Sequence, residues 1–191
     1  GVHPTMWVRL WFDNAGKPHQ RAYTLVDPDP GAGTFSLEFA LHEGVASDWA
    51  RTAKPGDTIE ATIHGTGFTQ PEPAPSHVFA IADTASLPAL NSLLDTLDAA
   101  PATVWFEGER DGLPFRAEES RHDVRTLPRR DSGAHLVAQV KENLPGLLAD
   151  TPDPYVWLAC DTATTRALTS YVRKELGLPK QRVNALGYWR P

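Results

Sequence analysis

The chain has 191 residues, 41% of them hydrophobic and 22% charged, with a net charge of −6, which suits one large domain or two small ones and excludes intrinsic disorder. Its apolar runs, such as Val78–Ala82, are strand-sized, and residues 1–20 contain Arg9, Asp13, Asn14 and Lys17, so neither a membrane-spanning helix nor a signal peptide is read. A single cysteine, Cys160, excludes a disulfide framework, a cysteine-ligated zinc site and a protein-bound iron–sulfur cluster.

In chain order, Met6–Phe12, Gln20–Val26, Thr34–Leu41 and Asp57–Ile63 have the alternation and β-rich composition of strands. Turn signals separate them at Asp13–Gly16, Asp27–Gly33 and Lys54–Gly56, and a short helix is expected at Ala46–Ala53. Several short strands with Gly/Pro turns predict a small antiparallel barrel or sandwich. The alternating prolines of Gln70–Pro75 favour a stiff extended segment, so the boundary is set there, giving units 1–73 and 74–191. Beyond it strands and helices alternate. Ser76–Ala82 precedes a helix at Ser86–Leu97, and Thr103–Glu107 and Asp123–Leu127 are strands. A helix at Ala134–Leu148 precedes the strand Tyr155–Cys160, then come a helix at Thr162–Leu176 and a last strand at Arg182–Gly187. In the Thr162–Leu176 segment Leu168, Tyr171, Val172 and Leu176 share one face, and Gly177 and Pro179 stop the helix. Alternating βα units imply a mostly parallel sheet with helices on both faces. The fold class is therefore β-barrel plus α/β, an order of modules used by flavin reductases.

Arg21-Ala22-Tyr23-Thr24 is the sharpest chemical pattern. On a strand, Arg21 and Tyr23 share one face and Ala22 and Thr24 the other. An arginine can pair with a pyrophosphate, a tyrosine ring can cover a flat cofactor, and a hydroxyl can bond a ring nitrogen. The plain alternative is a strand with a surface arginine and a half-buried tyrosine. His42–Ala50 then opens a short helix whose free N–H groups suit phosphate, with Ser47 or Asp48 as the alternative N-cap. Both segments are expected to meet one pyrophosphate.

With these residues in view, the chain resembles the siderophore-interacting protein family, the FAD-dependent ferric-siderophore reductases of the ferredoxin-reductase superfamily. The family's Arg-x-Tyr-Thr/Ser motif is matched by Arg21–Thr24, and its His-Gly segment running into Ala-Ser-x-Trp-Ala by His42–Ala50. Its Pro-Gly-Asp turn is matched by Pro55–Asp57, its Asp-x-x-x-Leu-Pro-Ala by Asp83 and Leu87–Ala89, and its Gly-Tyr-Trp-Arg close by Gly187–Arg190. Gln20–Thr24, Trp49–Gly56 and Asp83–Pro88 look especially like the siderophore-interaction domain of mycobacterial iron-siderophore transporters. The resemblance implies an antiparallel flavin-binding barrel at 1–73 and a parallel-sheet NAD(P)H-binding domain at 74–191, ferredoxin-reductase-like. It implies FAD as cofactor and NADPH or NADH as donor. Arg21 would bind the FAD pyrophosphate, while Tyr23 on the isoalloxazine and Thr24 near its N5 would be the catalytic pair. His42, Gly44, Val45, Ala46 and Ser47 would surround the phosphates or adenosine. Asp83, Thr84, Ala85 and Ser86 would face the nicotinamide nucleotide, and Tyr188 or Trp189 would lie near the nicotinamide. The chain departs from the family at Thr84, often acidic there, and at Cys160-Asp161, where many members have Gly-Glu.

Other features are weaker. Cys160 ends a strand aimed at the expected cleft and suits either a nicotinamide contact or a small buried hydrophobe. His3, His19, His42, His64, His77, His122 and His135 have no metal-ligand spacing, so no metal is expected. His64–Gly67 reads as a turn, and Arg125, Arg129 and Arg130 read as a solvated basic face or a contact for an anionic siderophore. Residues 1–75 hold nine acids and five bases and 76–191 hold 15 and 13, so no nucleic-acid partner is expected.

The expected protein is a cytoplasmic ferric-siderophore reductase without membrane insertion. Its alternatives are a general NAD(P)H:flavin or diaphorase-type reductase, or a siderophore-binding module that has lost flavin. Four strands precede Pro71 where a six-stranded barrel needs about two more. An N-terminally short, open barrel is therefore expected, with edges that favour a homodimer.

Overall fold

A computed structural model describes residues 2–97 and 100–191, and the chain divides into two compact units, Gly1–Phe68 and Thr69–Pro191.

In the first unit, β1 (Trp7–Asn14), β2 (Lys17–Thr24) and β5 (Glu60–His64) form an antiparallel sheet in the order β2-β1-β5. A second antiparallel pair joins β3 (Val26–Asp29) to β4 (Thr34–Ser36). Strand β1 alternates as its sequence does: Val8, Leu10 and Phe12 are buried, and Trp7, Arg9 and Trp11 lie on the other face. The buried side forms a cluster with Leu25 and Ala46, against which Tyr23, Leu37, Phe39, Val45 and Trp49 pack. The helix α1 (Val45–Thr52) supplies Ala46, Val45 and Trp49 to that cluster.

Two expected features of this unit change. The segment 27–33 is not all turn, because Val26–Asp29 pairs with Thr34–Ser36 across an irregular register. The strand expected at Gln20–Val26 is divided at Leu25, between β2 and β3, and Asp27 takes φ 46 within β3 where the register with β4 is irregular. The strand expected to reach Leu41 stops at Ser36, since Leu37 and Phe39 turn from sheet pairing to packing on the core. Among the described residues five strands therefore precede Pro71 rather than four.

The second unit is a five-stranded parallel sheet in the order β10-β9-β6-β7-β8, made of β6 (His77–Asp83), β7 (Ala102–Glu107), β8 (Asp123–Leu127), β9 (Pro154–Ala159) and β10 (Val183–Ala185). Strands β6, β7 and β9 are buried along nearly all their length, which is why they read as unbroken apolar runs. Helices α3 (Ala134–Ala149) and α4 (Thr162–Ser170) share one core with the sheet: Leu136, Val140, Leu144 and Leu168 meet Phe79, Ile81, Trp105, Val156 and Leu158. Helix α2 (Leu87–Leu94) follows β6 through a 3-10 turn at Thr84–Ser86, with Pro88 in its first turn.

The helix expected to run to Leu176 is α-helical only to Ser170 and closes through a wide turn at Tyr171–Glu175. Tyr171 and Val172 stay in the core through that turn, and Gly177 takes φ 72 as expected of a C′ residue. The last strand is shorter than expected because Lys180–Arg182 forms a 3-10 turn before it. No helix among the described residues is long and apolar enough to cross a membrane.

Leu136 is fully buried among aromatic and aliphatic neighbours. Leu136→Ala is expected to cost about 2–5 kcal/mol, measured by urea denaturation.

Candidate functional site

The first unit gathers its candidate residues around β2 and the start of α1. The register sets Arg21 opposite Leu10 and Tyr23 opposite Val8, so both stand on the core face of the sheet. Arg21 is exposed, and its guanidinium donates to the neighbouring carbonyl of Gln20, at 2.9 Å. Tyr23 is half-buried against Phe39, with ring centroids 4.3 Å apart. Burial raises its phenol pKa, and the Arg21 charge partly offsets that. Thr24 is buried at the end of β2.

Helix α1 has Gly44 as N-cap at φ 135 and no side-chain cap, so neither Ser47 nor Asp48 fills that role. The Ser47 hydroxyl instead accepts the N–H of His42 at 3.1 Å. Asp48 pairs with Arg51 at 3.0 Å, and Arg51 also donates to the His42 carbonyl. An exposed guanidinium beside a half-buried ring, together with an uncapped helix start, suits a flat ring system bearing a pyrophosphate. The residues present thus fit FAD.

In the second unit the candidates meet at the carboxyl ends of the parallel strands. There the strand order turns on β6, which has β7 on one side and β9 on the other. Open α/β sheets take their ligands at such a place. Asp83 ends β6, Glu107 ends β7 directly beside it in register, and Asp161 follows β9. All three are buried, at 4%, 3% and 1% exposure.

Asp83 Oδ1 accepts the N–H groups of Ala85 (3.0 Å) and Ser86 (3.2 Å), and Ser86 Oγ accepts the Asp83 N–H in return. Its second oxygen accepts the indole N–H of Trp189 at 2.8 Å. Asp161 caps α4 in the same way, accepting from Ala163 N, Thr164 N and Thr164 Oγ1. Thr84 lies against Gly108, and Tyr188 donates its N–H to the Cys160 carbonyl at 2.9 Å.

One cation answers these acids. Arg129, expected on a solvated face, donates to Glu107 and to Asp161, the latter at 3.2 Å, and lies 4.9 Å from the Trp189 ring centroid. Arg125 is likewise engaged, with Asp123 at 2.8 Å and over the Trp105 ring. Glu107, Arg129 and Asp161 are thus site residues that sequence reasoning did not assign. Their signal was positional, since Glu107 and Asp161 each close an apolar strand, where a polar residue gains nothing from the core. Cys160 does not face a cleft. At 1% exposure it packs with Ile81, Leu158 and Leu168, and burial among three carboxylates raises its thiol pKa well above the ordinary value.

The backbone amides of both strand-to-helix turns are taken by Asp83 and Asp161. The amides of Ala85, Ser86, Ala163 and Thr164 are therefore closed to an incoming phosphate.

Burial raises the Asp83 carboxyl pKa despite its three hydrogen bonds. Burial acts the same way on Asp161, but Thr164 and Arg129 outweigh it and hold that carboxyl low. The linkage signs are opposite. Asp161 contributes stability that is present above the unfolded value of about 3.9 and is lost as pH falls through its lower folded value. Asp83 costs stability as pH rises from about 3.9 through its higher folded value. Denaturant titrations across pH are expected to show a reduced acid-side loss in Asp161→Asn and a reduced fall on the rising side in Asp83→Asn.

Residues 75–191 match the family described as "Siderophore-interacting protein", and residues 2–65 match the "Siderophore-interacting FAD-binding domain". The chain is 34% identical over 198 residues to the mycobactin import ATP-binding/permease protein IrtA of Mycobacterium tuberculosis, covering 98% of this chain and 22% of that protein. It thus spans about a fifth of that relative's length. It is 25% identical over 193 residues to ferric acinetobactin reductase of Acinetobacter baumannii, covering 98% of this chain and 67% of that protein. Among solved structures, the siderophore-interacting protein of Acinetobacter baumannii superposes with a TM-score of 0.80 at 26% identity, covering 98% of this chain and 77% of that one. An antiparallel unit carrying the Arg-x-Tyr-Thr strand and a parallel unit closing on Gly-Tyr-Trp-Arg place the chain, with its ferredoxin-reductase-like fold, in the siderophore-interacting protein family.

Proposed function

We propose that this chain is a ferric-siderophore reductase that passes electrons from NADPH or NADH through FAD to Fe(III) and releases iron as Fe(II) in the cytoplasm. The observation that carries the reading is that Tyr23, on the strand that also bears Arg21 and Thr24, packs in one cluster with Val45 and Ala46 at the uncapped start of α1. Support comes from the match of residues 2–65 to the family's FAD-binding domain and from the relative named as a ferric acinetobactin reductase.

FAD, when bound, accepts a hydride and returns its electrons one at a time, which suits a donor that carries two and a ferric ion that takes one. On this reading the barrel-like unit, 1–73, holds the flavin and the α/β unit, 74–191, takes the electron donor. Arg21 anchors the pyrophosphate through charge-assisted bonds, with the N–H groups at Gly44, Val45, Ala46 and Ser47 and the side of His42 completing the phosphate and adenosine end. Tyr23 covers the ring and Thr24 offers a hydroxyl to its reactive edge. Asp83, Thr84, Ala85 and Ser86 line the donor side, with Tyr188 and Trp189 over it. Fe(III) is a hard cation held tightly by siderophore oxygens and Fe(II) is held far less tightly, so electron delivery alone releases the metal.

A second reading has an observation of its own. The turn amides of the α/β unit are already filled by Asp83 and Asp161, as suits a siderophore-binding module that uses no dinucleotide. Colour separates the two. The purified protein is expected to take up FAD with a flavin absorbance band that NAD(P)H bleaches and a ferric siderophore restores. A protein that stays colourless with added FAD supports the module instead. Ferric siderophores compared with dyes and quinones as acceptors separate the proposed activity from a general flavin reductase. Arg21→Ala is expected to weaken FAD binding by about 1.5–3 kcal/mol, measured by fluorescence titration of the flavin.

A further inference from the structure

The C-terminal residues extend β10 along the sheet. Leu186 donates its N–H to Leu158 and Tyr188 to Cys160, and Thr162 N–H donates to the Trp189 carbonyl, each at 2.9 Å. Gly187 lies so close to Thr162 that a Cβ would sit 3.0 Å from its Cα, so the tail passes there without a side chain. These backbone bonds fix where the Trp189 Cα lies. They leave the plane of its indole free.

Two side chains settle that plane. Asp83 takes the indole N–H at 2.8 Å, and the Arg129 guanidinium carbon lies over the ring, 4.9 Å from its centroid. Arg129 is itself held from behind by Glu107 and Asp161, whose carboxylates are 1% exposed and have no water to turn to. Among the described residues Glu107 Oε1 has no partner, and the carboxylate's bonding there runs through Arg129. Both carboxylates bond one nitrogen, Arg129 Nη1, so a lysine could supply the charge and reach both, but it has no planar face to lay over an indole.

We propose that Arg129 is a positioning residue: clamped by Glu107 and Asp161, it fixes the plane of the Trp189 ring over the ends of β6 and β9 and so sets the orientation in which this end meets a nicotinamide ring. The last clause rests on the reading that the α/β unit takes NAD(P)H. The first does not. The Glu107 and Asp161 carboxylates thus act through Arg129, and Arg129 acts through Trp189.

The test uses the full chain. Acrylamide quenching of tryptophan fluorescence is compared between wild type and Arg129→Met, with Trp189→Phe identifying the contribution of that one ring. The Trp189 component is expected to become severalfold more quenchable in Arg129→Met, with Arg129→Lys restoring less than about half of the protection. NADPH and NADH titrated by calorimetry are expected to bind about tenfold more weakly in Arg129→Met, with FAD retention unchanged. Unchanged quenching of Trp189 overturns the positioning role. A freed ring with unchanged donor affinity overturns its consequence for the nicotinamide. If the wild type binds no dinucleotide, the donor reading falls, and the quenching comparison still decides the role of Arg129. If Arg129→Met does not fold, Glu107→Gln keeps the cation and loosens one arm of its clamp; a smaller shift of the same sign supports the proposal, and none overturns it.

Discussion

Three carboxylates sit under 5% exposed at the ends of neighbouring parallel strands, and one guanidinium bonds two of them, Glu107 and Asp161. Everything else at that end of the sheet follows from this charge problem. A buried carboxylate stripped of its partner costs about 3–5 kcal/mol, so Arg129 cannot drift to solvent without leaving Glu107 and Asp161 exposed to that penalty. The chain spreads the remaining charge over hydrogen bonds. Asp83 spends one oxygen on its own turn and the other on Trp189, and Asp161 spends its first oxygen on the start of α4. The same bonds that neutralise the acids also close two helix starts and pin the C-terminal residues.

This arrangement has a price in backbone geometry. Immediately after Arg129, Asp131 and Ser132 both take the left-handed conformation, at φ 49 and 53, and Gly133 follows at φ 94. A Cβ on Gly133 would clash with the Thr164 hydroxyl, with Asp161 and the Arg129 guanidinium in ordinary contact beyond it. Non-glycine residues held there cost of order 1 kcal/mol or more each, and such strain persists only where its surroundings over-determine it. Here the surroundings are the ion network on one side and the long helix α3 on the other.

The first unit solves a different problem. Its sheet has one buried face, so each core residue on β1 alternates with one that reaches outward, and its three strands leave β2 and β5 at the edges. Leu37, Phe39 and Val45 cover the buried face from segments that are not strands. Tyr23 belongs to that cover and to the surface at once.

Most of the fold was legible in the residues. Strands β6, β7 and β9 are unbroken apolar runs because both faces are buried, and β1 alternates because one is; helix α3 lies within a residue of where its period placed it. Where the reading slipped, at Leu37–Leu41 and Tyr171–Glu175, local pattern lost to packing: the side chains stayed on the core while the backbone left its regular form. The motif residues of the candidate site were also legible, since Arg21–Thr24, His42–Ala50 and Gly187–Arg190 are contiguous in the chain. What only the tertiary structure decided was the company those residues keep. Glu107, Arg129 and Asp161 are 22 and 32 positions apart, and nothing local in the chain says that one cation serves both acids. A parallel sheet brings strand ends together whatever their separation in sequence, so a site built there is written in the register of the sheet.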